Sequence, residues 1–407
     1  MKVIPGEPLN PSKLAQVLDC CVDMRPKINL GGGEKVDSEL LLRLIKVAIS
    51  NVDLKSSPGY PLSYIGGTNS AVFEVLGHEA IERMVMDRIY LINAVPYAKW
   101  SELRSIDFVT LGLCDPVNMF IKNELHSTKK VKEGQWRLIW SVSLIDQIID
   151  RVFSSALNSD DIENYADLPV CPGMSRNEEG RKIIHGKIMR MRTPVGDDVG
   201  AWDFSVTWQQ MNFDADRRAR RYGLAPKTAT IFHKRALMLA SKVLKMPGGE
   251  ILAQIKLCVK PSGAFNTSSG NSWERVATSA VITKDKITAE AVKYGCIAQG
   301  DDCVEDVPQD FPLVSRYFVH GFRLKEPEWM SDGKGVEFCA LRFFEDGFSH
   351  PTRPGKLLAS FFQNYPMPDV YYERRYQLVQ IELLGTPPVV LERIIKLLDT
   401  VHEAMSS

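Results

Sequence analysis

The sequence lacks the features of a secreted, membrane-spanning or globally charged protein. Its eight cysteines form no Cys-x-x-Cys pair, which argues against a zinc ribbon or a thioredoxin-like site and indicates reduced, intracellular thiols. No apolar run approaches the roughly 20 residues that cross a bilayer, and the N-terminus lacks the apolar core of a signal peptide. Lys plus Arg and Asp plus Glu each number 50, which excludes a uniformly basic nucleic-acid coat and an acidic disordered chain. We therefore expect a soluble protein, at most peripheral to a membrane.

The residues that are present predict an ordinary globular chain with an α+β fold. The 407 residues, 44% of them hydrophobic, are enough for about two to three domains at roughly 150 residues each. Apolar residues at helical spacing predict helices over 38–50 (with Ser38 as N-cap), 71–94, 143–157, 205–221, 226–244, 266–281, 312–320 (Asp310 as cap), from Val370, and after 387–388. Short β-like runs lie at 255–259, 295–298, 303–304 and 322–324. They indicate a small, mainly antiparallel sheet.

Two pairs of acidic residues are candidates for chemistry. Gly300, Asp301 and Asp302 separate two short apolar runs, which is typical of a β-hairpin with glycine at its turn. Adjacent acids at a hairpin tip repel each other unless solvent or a cation intervenes, and a hard divalent metal is a natural partner. The alternative is a solvated acidic turn. Asp198 and Asp203 form a second pair before a predicted helix, but this spacing is common by chance.

A third segment, 260–271, is polar where a core-facing helix would be apolar. Its Ser-Gly step predicts a flexible loop, and Thr267 and Asn271 are four residues apart on the following helix, so that both face one side. The alternative is a helix cap in which hydroxyl groups bond to the local backbone. That alternative does not account for the spacing of the Ser, Thr and Asn residues.

In chain order these segments resemble motifs A, B and C of viral RNA-dependent RNA polymerases. Three ordered matches are far more specific than one. The remaining matches are 57–59 to motif G, 122–126, 129–131 and 134–139 to motif F, 322–325 to motif D, and 337–343 to motif E. The sequences of residues 56–59, 136–147 and 266–269 resemble those of the polymerases of sobemoviruses and sobemo-like viruses. Two departures are Ala340, where serine is usual, and His126, where some members have arginine, which makes one phosphate contact dependent on protonation.

The resemblance implies roles for individual residues. It implies catalysis with two Mg²⁺ or Mn²⁺ ions held by Asp198, Asp301 and Asp302, and Lys325 as general acid for the departing pyrophosphate. Recognition of the ribose 2′-hydroxyl falls to Asp203, Ser262 and Asn271, with Thr267 on the same face. The other implied contacts are with the incoming triphosphate, through Lys122, Lys130 and Arg137, and with RNA, through Ser57, Gly59 and Gly263.

The resemblance also implies an architecture and a function. The expected fold is a right-hand polymerase with fingers, palm and a small helical thumb: 1–194 fingers, 195–224 palm, 225–257 a fingers insertion, 258–345 palm and 346–407 thumb. The expected function is template-directed RNA synthesis that replicates a positive-strand RNA virus genome. The alternatives are a reverse transcriptase or other palm-fold nucleotidyltransferase, which the polar Asp203 and Asn271 disfavour, and a catalytically silent RNA-binding subunit, which the intact acids disfavour.

The expected partners and location follow from the same resemblance. They are RNA template and nascent RNA, ribonucleoside triphosphates, a genome-linked viral protein and other replicase proteins, in the host cytoplasm or peripheral to membranes in a replication complex. Local charge is uneven: 181–192 holds no acid, whereas 299–310 holds five acids and no base. We expect the basic stretch to line an RNA channel. The basic cluster at 217–221, which alternates with acids, is instead interpreted as a solvated helix face.

Overall fold

The computed structural model describes residues 5–29, 37–122, 128–134, 136–362 and 369–406. These ranges contain seventeen α-helices and eleven strands. The helices are α1 Pro11–Asp23, α2 Ser38–Ser50, α3 Asn69–Leu76, α4 His78–Ala94, α5 Ser105–Thr110, α6 Thr128–Lys132, α7 Leu144–Glu163, α8 Glu178–Ile188, α9 Trp202–Ser205, α10 Trp208–Tyr222, α11 Pro226–Ala240, α12 Thr267–Thr283, α13 Ala289–Tyr294, α14 Leu313–Val319, α15 Pro354–Phe362, α16 Asp369–Glu382 and α17 Pro388–Ser406. The strands are β1 Val117–Ile121, β2 Leu138–Ser141, β3 Pro194–Asp198, β4 Val243–Lys245, β5 Ile251–Ala253, β6 Cys296–Gln299, β7 Asp302–Asp306, β8 Glu328–Trp329, β9 Val336–Phe338, β10 Leu341–Phe343 and β11 Ser349–Pro351.

The α+β class is confirmed, and each predicted helix has a counterpart. The predicted cap of α2 is wrong by one residue, because the side chain of Asp37, not Ser38, accepts the backbone N–H of Leu40. The predicted helix over 71–94 is two helices, separated where Gly77 adopts a φ of +77°. The predicted cap of α14 is also wrong, since its N-cap residue is Pro312 and makes no side-chain cap bond.

The β-like run at 255–259 is not a strand, and the strands of this region lie earlier in the chain. β4 and β5 form an antiparallel hairpin, and β4 also pairs in parallel with β1. Residues 255–259 follow this hairpin as an irregular segment, with positive φ at Cys258 (+95°) and Val259 (+69°). Apolar composition alone did not locate the pairing, which depends on the partner strand.

Three sheets organise the described chain. The first has the order β2-β1-β4-β5, the second β6-β7-β3-β8 and the third β11-β10-β9. In the second sheet every neighbouring pair is antiparallel, as predicted, and β6 and β7 form the hairpin predicted around Gly300. Gly300 has a φ of +64°, a backbone conformation that glycine adopts without steric cost.

Both faces of the second sheet are covered, which fixes the direction of its side chains. One face carries Cys296, Ala298 and Cys303 and packs against the buried helix α12 in the largest apolar cluster. The other face carries Ile297 and Val304 and packs against α8 and the third sheet. Because successive side chains of a strand point to opposite faces, each acid of β3 and β7 is assigned to one side.

The second and third sheets approach each other closely at one glycine. A Cβ atom at Gly196 would lie 3.0 Å from the carbonyl oxygen of Glu337 on β9. The Glu337 side chain accepts hydrogen bonds from Thr352 (3.1 Å) and Arg353 (3.5 Å), just before α15. The strand that ends in Asp198 is thus in direct backbone contact with the sheet that leads into the C-terminal helices.

The C-terminal helices form a small apolar cluster of their own. Phe361, Leu383, Ile394 and Leu398 are buried together within α15–α17 and the turn after α16. Within the described part of the chain, every helix is too short or too polar to cross a lipid bilayer.

Candidate active site

The acids singled out in the sequence lie at adjoining ends of β3 and the β6–β7 hairpin. Asp198, the last residue of β3, is paired in register with Asp302, the first residue of β7. Asp301 lies beside them at the exposed tip of the hairpin. The turn is held in place from below, since the backbone N–H of Gly300 donates to Ser272 Oγ of α12 over 2.9 Å. The fold therefore brings Asp198, Asp301 and Asp302 to one sheet edge.

These carboxyl groups interact electrostatically. Partial desolvation at the hairpin raises the pKa of Asp301, and the charge of Asp198 adds to this effect, whereas Arg137 and Lys325 oppose it. Burial and the neighbouring charges of Asp301 and Asp198 raise the pKa of Asp302 to about 6. A cation shared by neighbouring carboxylates relieves the repulsion between their charges. Their all-oxygen donor set therefore fits a hard divalent ion such as Mg²⁺ or Mn²⁺.

Lys325 is in direct contact with this group. Its ammonium nitrogen Nζ donates to Asp198 Oδ2, and its backbone N–H donates to the carbonyl oxygen of Asp198 over 2.9 Å. The Lys325 side chain is 64% exposed, so that the ion pair faces solvent. The predicted motif D lysine is thus adjacent to the candidate metal ligands.

Asp203 and Asn271 lie close together beside the acidic edge. Asn271 Nδ2 donates to Asp203 Oδ1 over 3.4 Å. Burial raises the pKa of Asp203, although Lys260 and the Asn271 bond lower it. Ser262 Oγ and Asn271 Oδ1 are buried and make no hydrogen bond to any described residue. A buried polar atom without a partner costs free energy, so both atoms retain an unused capacity for hydrogen bonding.

Thr267 and Gly263 have contacts of another kind. The Thr267 hydroxyl group bonds to the carbonyl oxygens of Ala264 (2.7 Å) and Pro261 (3.1 Å). These are the local backbone contacts expected of a helix cap. Gly263 pairs with Ser141 of β2, and a Cβ atom there would lie 2.1 Å from the carbonyl oxygen of Trp140. Only glycine fits this position without displacing β2.

The first sheet places two predicted basic residues next to each other. The backbone N–H of Lys122 donates to the carbonyl oxygen of Arg137 over 2.8 Å, at the end of the β1–β2 ladder. Arg137 is exposed and lowers the pKa values of both Asp203 and Asp301 through its charge. Lys130 lies on α6 with its side chain outside the described atoms, and His126 lies outside the described residues.

The loop at 57–59 is attached to the start of α7. The backbone N–H of Leu144 donates to the carbonyl oxygen of Pro58 over 2.8 Å, and the Gly59 N–H donates to Ser57 Oγ over 3.3 Å. Gly59 has a φ of +67°, and a Cβ atom there would lie 3.0 Å from Ser143 Cα. The loop therefore has a fixed place on α7, whereas its contact with RNA stays a prediction.

A second acidic group lies on the opposite face of the sheet. Ligand atoms of Asp197, Cys303 and Glu305 lie within 4.8 Å of one another, and all three residues are buried. The guanidinium group of Arg275 occupies this place, in contact with Asp197 and 3.6 Å from Glu305 Oε1. A divalent cation there would meet a buried positive charge, so we interpret the group as a structural ion-pair network.

The interpretation of 217–221 as a solvated face is wrong for three of its four arginines, whereas Arg220 is exposed as predicted. Arg217, Arg218 and Arg221 are at most 2% exposed. Arg217 and Arg218 pair with Asp214 on their own helix, and Arg221 pairs with Asp160 of α7. Asp214, which precedes Arg217 and Arg218 by three and four residues, is thus part of a buried network and not of a solvated helix face.

The expectation that 181–192 lines an RNA channel is also wrong for its two buried cations. Arg181 is 5% exposed and donates to the carbonyl oxygens of Ile381 and Glu382 at the end of α16 and of Leu384 just after it. Lys187 is 8% exposed and donates to the carbonyl oxygens of Tyr165 and Leu168. Their charges satisfy backbone groups inside the fold.

Sequence reasoning missed one ion pair beside the site. Lys260 Nζ lies 2.7 Å from Glu274 Oε1, and both residues are buried. A signal for it was present, because Glu274 is three residues after Asn271 and therefore lies on the same face of α12.

The fold thus brings together residues of the three segments that resemble motifs A, B and C of viral RNA-dependent RNA polymerases. Comparison with known proteins agrees. A family model described as viral RNA-directed RNA-polymerase matches residues 41–191. The RNA-directed RNA polymerase of mushroom bacilliform virus is 30% identical over 369 residues, which cover 88% of this chain and 86% of that protein.

The chain belongs to the family of viral RNA-directed RNA polymerases. Other relatives are the replicase polyproteins P2AB of Southern bean mosaic virus, 30% identical over 64% of this chain, and of cocksfoot mottle virus, 30% identical over 74% of it. The chain spans 26% and 32% of the length of these two polyproteins. The enzyme is an RNA-directed RNA polymerase, as the motif series predicted, and the resemblance to sobemovirus polymerases is confirmed.

Proposed function

We propose that the chain synthesises RNA by two-metal nucleotidyl transfer at the edge formed by Asp198, Asp301 and Asp302. The observation that supports this most is the register of β3 and β7, which pairs Asp198 with Asp302 and leaves Asp301 beside them. Divalent ions bound by these carboxylates would activate the primer 3′-oxygen and neutralise the pyrophosphate leaving group. The two acids with raised pKa values, Asp301 and Asp302, would then hold a cation instead of a proton.

The surrounding residues would position the nucleotide. Asp203, Ser262 and Asn271 bind the ribose 2′-hydroxyl, for which the unpartnered Ser262 Oγ and Asn271 Oδ1 are suited. Thr267 holds the turn before α12 in place through its backbone contacts. Lys122 and Arg137 bind the triphosphate of the incoming nucleotide. Lys130 is assigned to the same role by its motif position alone. Lys325 supplies a proton to the departing pyrophosphate, and its contact with Asp198 keeps it within reach.

The architecture we propose is a right hand. The second sheet with α10 and α12 forms the palm (195–224 and 258–345), residues 1–194 with the insertion 225–257 form the fingers, and 346–407 form the thumb. The parallel pairing of β1 with β4 supports the assignment of 225–257 to the fingers, because it returns the insertion to the sheet of β1 and β2. Template RNA would pass the loop at Ser57 and Gly59 and the turn at Gly263.

The wider setting is also a proposal. RNA template, nascent RNA and ribonucleoside triphosphates are the substrates, and other replicase proteins are the partners, in line with the polyprotein form of two relatives. A genome-linked viral protein and a replication complex in the host cytoplasm, peripheral to membranes, follow from the resemblance to sobemovirus polymerases.

Template-dependent incorporation of labelled nucleotides tests the proposal. Asp301→Ala is expected to abolish incorporation on a primed RNA template, whereas Asp332→Ala, which changes an exposed acid in another turn, retains it. A dNTP challenge separates RNA synthesis from reverse transcription. If Asp301→Ala extends the primer as fast as the parent protein, the metal assignment is wrong.

A further inference from the structure

A buried ion pair lies directly beneath the residues proposed to recognise the ribose. Lys260 and Glu274 are 4% and 1% exposed, and their charged atoms are 2.7 Å apart. The space for the ammonium group depends on Gly270, where a Cβ atom would lie 2.7 Å from Lys260 Nζ and 3.0 Å from Asp214 Oδ2. Because Glu274 holds the ammonium group, Lys260 cannot move aside without breaking the pair.

Lys260 is connected to three segments that carry the proposed ribose contacts. Its backbone N–H donates to the carbonyl oxygen of Asp203 over 2.8 Å. Ser262 follows Lys260 by two residues, so the position of one restricts the position of the other. The partner Glu274 lies three residues after Asn271 on the same face of α12. The ion pair thus links the Asp203 turn, the Ser262 loop and the Asn271 helix.

The charge of Lys260 also acts on Asp203. Burial raises the pKa of Asp203, and Lys260 is the strongest influence in the opposite direction. An ionised Asp203 can only accept hydrogen bonds. It can therefore accept one from a substrate hydroxyl group or from the Asn271 amide group. The ammonium group therefore supports both the place and the charge state of Asp203.

We propose that the Lys260–Glu274 ion pair is a positioning device for Asp203 and Asn271 and that it sets the preference of the enzyme for ribonucleotides over deoxyribonucleotides. This inference rests on the proposed function of Asp203, Ser262 and Asn271. Neither member of the pair touches substrate, so its effect passes entirely through these residues. Incorporation of a deoxyribonucleotide, which has no 2′-hydroxyl group, should depend little on the pair.

The test must separate positioning from folding. Removal of one member leaves a buried unpaired charge and endangers the fold, whereas replacement of both by apolar residues is often neutral for stability. The main variant is therefore Lys260→Met/Glu274→Leu, and the rescue variant is Lys260→Arg, which keeps the charge. The matched control is Lys234→Met. Lys234 is another buried lysine, which donates to the carbonyl oxygens of Ile92 and Val95 away from the site.

The measurement is the ratio of incorporation efficiencies, kcat/KM, for ATP and dATP on one primed RNA template, with thermal unfolding recorded for every variant. We expect the double variant to lose about tenfold in this ratio, equivalent to ~1.4 kcal/mol, through a fall for ATP alone. Lys260→Arg and Lys234→Met should retain the ratio to within about threefold. An equal loss for ATP and dATP, with the ratio unchanged, would show that the pair is structural only.

Two further variants keep the test decisive. Asp203→Ala should lower the ratio, and Lys260→Met/Glu274→Leu should lower it by less in the Asp203→Ala background than in the parent protein, because part of the effect of the ion pair passes through Asp203. If Asp203→Ala leaves the ratio unchanged, the proposed ribose contact fails. If Asp203→Ala lowers the ratio and Lys260→Met/Glu274→Leu leaves it unchanged, the ribose contact stands and only the role of the ion pair is wrong. Should the double variant not fold, Gly270→Ala displaces the ammonium group, and an unchanged ratio there overturns the inference.

Discussion

Asp198 and Asp302 face each other as a register pair of the antiparallel strands β3 and β7, although they lie 104 positions apart in the chain. Strand pairing places their Cα atoms side by side whatever their charges do, so the repulsion between the carboxylates is imposed by the fold. A bound cation relieves that repulsion, and this relation underlies the first two predictions.

The first prediction concerns Asp198 itself. Asp198→Asn keeps the shape of the side chain and removes its charge, so incorporation should fall about a thousandfold or more, in line with the several kcal/mol that metal ions supply. Direct Mn²⁺ binding, measured by paramagnetic resonance, should weaken in parallel. Asp332→Asn is the control, since this exposed acid lies in a separate turn. Unchanged Mn²⁺ binding by Asp198→Asn would contradict the assignment.

The second prediction concerns Lys325, whose ammonium group contacts Asp198 and competes there with a metal ion. Lys325→Met should strengthen Mn²⁺ binding by a few-fold, a modest change because the pair is exposed, while it slows incorporation at saturating metal. The two readouts therefore move in opposite directions. The charge-preserving variant Lys325→Arg should leave Mn²⁺ binding nearly as it is. Weaker metal binding by Lys325→Met would exclude this competition.

The third prediction concerns the pH dependence of stability. Burial, with a further contribution from Asp214 and against the influence of Lys260 and Arg218, raises the pKa of Glu274 from 4.5 to about 7. The Glu274 carboxyl group thus binds a proton more tightly in the folded state than in the unfolded state. The stability that this proton contributes is lost as pH rises from about 4.5 to about 7.

Glu274→Gln removes this titration, so its free energy of unfolding relative to the parent protein should rise by roughly 2–3 kcal/mol between about pH 5 and about pH 8. Urea unfolding at several pH values measures the difference. The exposed residue Glu345 provides the control variant Glu345→Gln. A difference between Glu274→Gln and the parent protein that is independent of pH would show that Glu274 keeps its ordinary pKa.

The fourth prediction concerns the attachment of the C-terminal helices. Arg181 donates to the carbonyl oxygens of Leu384 (2.5 Å), Glu382 (3.1 Å) and Ile381 (3.2 Å). Arg181→Ala removes a charged donor from all three carbonyl groups, of which that of Ile381 also accepts the backbone N–H of Leu384. The change should therefore lower the free energy of unfolding by about 2–4 kcal/mol. Hydrogen exchange should accelerate within α16. The neighbouring Lys182→Ala removes an exposed pair with Glu178 and should have little effect, and equal effects of the two variants would contradict the capping role.

The parts of the site that could be predicted from the sequence are those encoded by neighbouring residues. The hairpin around Gly300 is an example, because a permissive turn residue between two apolar runs specifies it locally. The contact between Asp203 and Asn271 was accessible only through the motif resemblance, since 68 residues separate the two positions. No local pattern carries that information.

The wrong predictions from the sequence concern charged side chains that are buried in the structure. The acids at 214 and 216 favour a solvated face for the arginines at 217–221, yet the partner of Arg221 is Asp160, 61 residues earlier. Likewise, Arg181 is paired with carbonyl groups of a helix about 200 residues later in the chain. Whether a cation faces water or protein depends on long-range packing, which composition and helical spacing do not report.

The close approach of Gly196 to Glu337 has a mechanical consequence. With only a hydrogen atom between the β3 backbone and β9, no flexible side chain is available there to absorb a displacement. A load on residues 352–353, applied by a departing RNA product or a neighbouring protein, would be transmitted through Glu337 to the strand that ends in Asp198. Substitutions far from the acidic edge could therefore tune the speed of the enzyme by stiffening or loosening this connection.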